Sequence, residues 1–191
     1  MDLLSLWLPI LVSSVVVFFA GFIAWTVLPH HKADWSKLPD EDAFNSALKS
    51  LGLQPGPYMF PYAANNAECK SEEFKKRWAE GPCGTLNLWP GEPNMGLSMF
   101  CSFVFYLVVG VFVGYIGTLA LKPGASFLEV FQLTGTAAVL AYSFGGIPNA
   151  IWFRKKFGAA VNDVIDGIAY GLLTAVIFGL MWPSAASAIP G

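Results

Sequence analysis

Three stretches of this chain carry no Asp, Glu, Lys or Arg: Leu3 to His31, Pro93 to Leu121 and Gly167 to Gly191. Each exceeds the ~20 residues that an α-helix needs to cross ~30 Å of hydrocarbon. A fourth uncharged run, Val130 to Phe153, is less regular. The pattern predicts an all-α membrane protein with about four transmembrane helices. The first lies in 1–28. A polar segment of ~66 residues, 29–94, follows. The region 95–191 holds the other three spans, near 95–121, 126–153 and 159–182. Composition agrees. Only 13% of residues are charged and 55% are hydrophobic, against about 25% charged in soluble domains.

The first span reads as a retained anchor. Its leading residues, Met1-Asp2, hold no Lys or Arg, and the run ends in VLPHHKADW instead of a small-residue cleavage site.

Basic residues set the expected orientation. Arg154, Lys155 and Lys156 occupy the short loop before the last span, HHK follows the first span, and only Lys122 lies on the opposite side. The expected location is an inner membrane of bacterial type, with both termini extracytoplasmic and 29–94 cytoplasmic. Trp7 and Trp25 flank the first span about 27 Å apart at 1.5 Å per residue. Trp152 and Trp182 sit near span ends, where indoles favour the membrane–water interface. Cys69 and Cys83 are expected as free thiols in that reducing compartment, and Cys101 falls within the second span.

The polar segment predicts two short helices. Asp40 caps one that Gly52 ends, with Phe44, Ala47, Leu48 and Leu51 on one stripe. Ser71 caps the other and Gly81 ends it. Between them LQPGPYMFPYA is too Pro-rich for helix, and TLNLW alternates so that it can pair with YMF. Tyr58, Phe60, Tyr62, Trp78 and Trp89 are candidate anchors for a protein partner, or else internal core.

Small residues write a packing code. Gly110 and Gly114 are four apart in the second span; Gly167, Gly171, Ala175 and Gly179 repeat every fourth position in the last. Such faces let helix backbones approach closely, within the bundle or against a partner helix. In the third span Gly145, Gly146 and Pro148 predict a kink or break.

Asp163 and Asp166 lie inside the last span. Three apart, they lie on one side of the helix; Asp163 also aligns with the glycine face, so at least Asp163 is expected to look into the bundle. Two readings stay open. The carboxylates can be positional, complementing the helix N-terminus and pairing with the RKK loop. They can instead form an ion or partner site with Asn149, His30 and His31 at the same membrane depth. Adjacent histidines are expected to point their rings in different directions, which weighs against the second reading.

The rest is absence. Two histidines exclude multi-histidine di-iron chemistry, and no GxSxG, HExxH, Walker A or GxGxxG occurs. No enzyme, cofactor or nucleic-acid partner is expected. The expected partners are membrane lipids, some of them structural, and other membrane subunits or further copies of the chain. The leading expectation is a non-catalytic accessory, assembly or scaffold subunit of a larger membrane complex. The alternative is a small ion, proton or solute transporter or channel using Asp163, Asp166 and Asn149 at its inner mouth.

Overall fold

The computed structural model describes residues 1–185; the end of the 95–191 region lies outside them. In chain order the elements are α1 (Trp7–Thr26), α2 (Glu41–Ser50), β1 (Gly56–Phe60), α3 (Asn66–Cys69), α4 (Glu72–Glu80), β2 (Gly84–Leu88), α5 (Met95–Ala120), α6 (Phe127–Ser143), α7 (Ile147–Trp152) and α8 (Phe157–Met181). Two compact units form. One joins Met1–Ser36 to the chain from Met95 onward, and the other is Lys37–Asn94.

The first unit contains four helices long and apolar enough to cross a membrane: Leu3–Thr26, Met95–Ala120, Phe127–Trp152 and Phe157–Met181. That is the make-up of a multi-pass membrane protein. Each packs on two others: α1 on α5 and α8, and α6 on α5 and α8. Leu6, Ile10, Val113, Val130, Ala138 and Phe178 are buried in the middle. Buried hydroxyls do not go unsatisfied. Ser13 and Ser14 both donate to the Ile10 carbonyl, Thr134 to Val130 and Thr174 to Tyr170, the local back-bonding open to such residues where no water reaches.

The small residues are used inside the chain. A methyl group on Gly171 would stand 2.8 Å from the Val139 backbone nitrogen, and one on Gly167 would stand 2.7 Å from the Ser143 Cα. On Gly179 it would meet the Phe127 ring at 2.6 Å. Ala175 faces Gly135, where an added carbon would lie 3.0 Å from the Ala175 Cβ. The α8 stripe therefore seats α8 directly on the α6 backbone. Gly110 and Gly114 do the same for α5, holding Ile10 of α1 against them.

The third span breaks where its sequence predicts. The α-helix α6 ends at Ser143, the chain turns through Phe144–Gly146, and α7 resumes at Ile147. Pro148 falls in the first turn of α7, where a missing N–H leaves no helical bond unmade. At the other end, Glu129 is occupied by a capping box. Its carboxylate accepts from the Ser126 N–H at 2.8 Å and the Ser126 hydroxyl at 2.7 Å.

In the second unit, Asp40 caps α2 by accepting from the Ala43 N–H at 2.8 Å, and Gly52 ends it at φ 62°. Ser71 caps α4, and Gly81 ends it at φ 60°. The strands β1 and β2 pair antiparallel, with Tyr58 opposite Leu86. The short helix α3, capped by Asn65, has no counterpart in the sequence reading. Cys69, Cys83 and Cys101 are free.

Candidate metal and proton site

Along α8, Asn162, Asp166, Tyr170 and Thr174 recur every fourth position, and all four are buried or half-buried. This polar stripe is immediately beside the glycine stripe, one residue round the helix. The glycine stripe seats α6, so the polar stripe is left to line the inside of the bundle where α1 approaches.

After α1 the chain passes Pro29 and closes a 3-10 turn over His30–Ala33. Side chains three apart nearly eclipse on such a turn. His31 and Asp34 meet this way, with Nδ1 2.5 Å from Asp34 Oδ2. The turn aims both imidazoles at α8. His30 Nε2 lies 3.0 Å from Asp166 Oδ1, and His31 Nε2 lies 3.0 Å from Asp166 Oδ2. One carboxylate thus spans two histidines.

Neighbours hold this arrangement. The Asn162 amide donates to the His30 carbonyl at 2.8 Å and to Asp34 Oδ1 at 3.1 Å. The Tyr170 hydroxyl donates to Asp166 Oδ2 at 3.3 Å. The Lys156 ammonium donates to the Ala33 carbonyl. The Trp25 indole lies flat on the His31 ring, centroids 3.8 Å apart and planes 9° apart. His31 is 5% exposed and Asp166 8%, so water contributes little to satisfying either.

The electrostatics of His31 follow. Burial works against its cation, but the hydrogen bonds to Asp166 and Asp34 and their negative charges together outweigh it, and its pKa is raised above 6.5. Asp34 is held below its ordinary value, chiefly by the His31 hydrogen bond.

The proton count on His31 makes the cluster demanding. If Nδ1–H donates to Asp34, a neutral ring turns the Nε2 lone pair toward an Asp166 oxygen 3.0 Å away. A cation must lie between them, either a proton or a metal ion. The ligand atoms of His30, His31 and Asp166 all lie within 4.8 Å of one another. Around a transition-metal ion with bonds of ~2.0–2.2 Å, neighbouring ligand atoms stand roughly 3 Å apart. With such an ion bound, Asp34 on Nδ1 would be the outer carboxylate that orients the imidazole and raises its basicity.

One sequence expectation is refined and one corrected. Asp163 and Asp166 both line the cavity within the bundle, but Asp166 is the buried carboxylate and Asp163 is only half-buried. The glycine stripe continues to Asp163 in sequence, but α6 ends at Ser143, level with Gly167. No helix backbone remains for Asp163 to pack on, so its half-buried carboxylate pairs with Lys155 at the rim. The expectation that the two imidazoles diverge is corrected. Their centroids are 4.2 Å apart, because the 3-10 turn and the breadth of one carboxylate bring both to Asp166. Asn149 is exposed on α7, and it is Asn162 that hydrogen-bonds into the cluster.

Above Asp166, toward the middle of the bundle, Tyr106, Tyr142 and Tyr170 pack edge to face with centroids 6.0–6.2 Å apart. They line a cavity of ≈160 Å³ that reaches both Asp163 and Asp166. In the second unit Phe60, Tyr62, Trp78 and Trp89 are exposed. Tyr58 is half-buried, its hydroxyl donating to the Gln54 carbonyl at 2.7 Å.

Comparison with known protein families, curated proteins and solved structures finds no match to this chain.

Proposed function

We propose that this is a small ion-handling membrane protein, built around a site for one divalent transition-metal ion held by His30, His31 and Asp166. The observation that carries the reading is the single Asp166 carboxylate facing two imidazole Nε2 atoms, each at 3.0 Å. Imidazole and carboxylate together suit zinc and its first-row neighbours. Three protein ligands leave at least one coordination position for water or an exchanging ligand. The tyrosine-lined cavity beside Asp166 gives that position somewhere to open. With Arg154, Lys155 and Lys156 at the same end, the positive-inside rule puts the site on the cytoplasmic side of an inner membrane.

The test is zinc titration of chelator-stripped full-length protein in detergent, read as bound metal per chain. One ion per chain, lost in Asp166→Asn and in the His30→Ala/His31→Ala double variant, is expected. Unchanged zinc content in those variants would remove the reading.

A second reading rests on a different feature. Phe60, Tyr62, Trp78 and Trp89 are large aromatic side chains exposed on the Lys37–Asn94 unit. Tyr, Trp and Phe anchors of this kind seat protein partners, which favours a non-catalytic accessory subunit of a larger membrane complex. The glycine faces no longer argue for it, since they are consumed within the bundle. Gentle extraction followed by native electrophoresis tests it: co-migration with larger partners, weakened by Trp89→Ala, supports it, and a monodisperse homomer counts against it.

A further inference from the structure

Beside α7 and the first turns of α8 lies a groove of ≈540 Å³, inside the ~300–1,000 Å³ range of ligand clefts. Its walls are apolar, with Ile147, Ile151, Val161 and Ile165 among them. At its end stand two cations, Arg154 and Lys155. Lys155 is paired with Asp163, whereas Arg154 makes no ion pair among the described residues. Arg154 is also the one non-glycine residue at positive φ there, at 55°. L-residues avoid that backbone region, and a strained residue persists where the surrounding structure over-determines it.

We propose that this groove binds a phospholipid with an anionic headgroup, its acyl chain along the isoleucine wall and its phosphate on Arg154. Charge and shape argue together. The groove runs apolar along the span and turns cationic where the span ends, the order in which a phospholipid presents its tail and phosphate. Trp152 and Phe157, each at least 80% exposed, flank the cations at the level where aromatic rings meet headgroups. Arg154 takes its left-handed conformation between α7 and α8 and lines the groove. This inference does not rest on the metal site.

The experiment is native mass spectrometry of the delipidated full chain mixed with equal mole fractions of phosphatidylglycerol and phosphatidylcholine. Preferential retention of phosphatidylglycerol is expected. Arg154→Gly suits the backbone at φ 55° and removes the charge. It is expected to cut the preference about fivefold, one basic residue's share near a membrane surface, without lowering the unfolding temperature. Arg154→Gln should give the same loss if charge is the cause. Ile151→Asn should weaken retention of both lipids. sn-Glycerol 3-phosphate, which has the phosphate and no tail, should not compete. Equal retention of the two lipids overturns the proposal, as does an undiminished preference in both Arg154 variants. So does full competition by glycerol phosphate, which would make this a free-phosphate site.

Discussion

His31 Nε2 stands 3.0 Å from Asp166 Oδ2, across 135 positions of sequence. This contact ties the exit of the first span to the third turn of the last. Charge placement, helix pairing and any bound ion all act through it, so the first three predictions concern it.

Asp166→Asn should destabilise the protein by about 3 kcal/mol, the scale for breaking a buried charge pair from one side. Asp163→Asn removes an accessible pair with Lys155 and should cost less than about 1 kcal/mol. Thermal unfolding in detergent distinguishes them. Equal effects would mean that Asp166 is no more deeply engaged than Asp163.

Asp34→Asn leaves the three metal ligands in place but removes the carboxylate on His31 Nδ1. Zinc stoichiometry should stay at one per chain while affinity falls about 10–100-fold, the usual range for an outer-sphere partner. Competition against a chelating dye measures this.

Metal-free protein should lose stability as pH rises from about 6.5. The raised pKa of His31 means that its contribution is complete below its unfolded value of 6.5 and vanishes as pH climbs through the higher folded value. Asp34 has the opposite sign: its contribution is complete above 3.8 and is lost as pH falls through its lower folded value. These two groups together therefore favour the interval between 3.8 and 6.5. Zinc competes with the His31 proton, so saturating zinc should flatten or invert the upper slope. Melting temperatures across pH, with and without chelator, decide it.

Gly171→Ala should destabilise by roughly 1–3 kcal/mol, the cost of overpacking, because its new methyl would sit 2.8 Å from a Val139 backbone atom that cannot rotate away. Gly145→Ala meets nothing within 4 Å and should leave unfolding unchanged within about 0.5 kcal/mol. Paired melts of the two variants are the measurement.

The sequence by itself determined the spans, the caps and the break. Those properties are local. An uncharged run longer than the bilayer has one low-energy use, Asp40 and Ser71 cap within one turn, and Gly145-Gly146 with Pro148 cannot continue a helix on their own account. The glycine stripe was legible as a packing face for the same reason, although its partner was not. Which carboxylate is buried against the histidines was decided by tertiary structure alone. Asp163 and Asp166 stand only about 60° apart around α8 at 100° per residue, and only the place where α6 stops and α1 approaches makes that difference count. The stripe of Asn162, Asp166, Tyr170 and Thr174 was present in the sequence at helical spacing, and it was the one signal that could have favoured Asp166. The convergence of His30 and His31 had no local signal. It depends on a 3-10 turn docking against a helix more than 120 residues later, and contacts at that separation are set by how the spans pack.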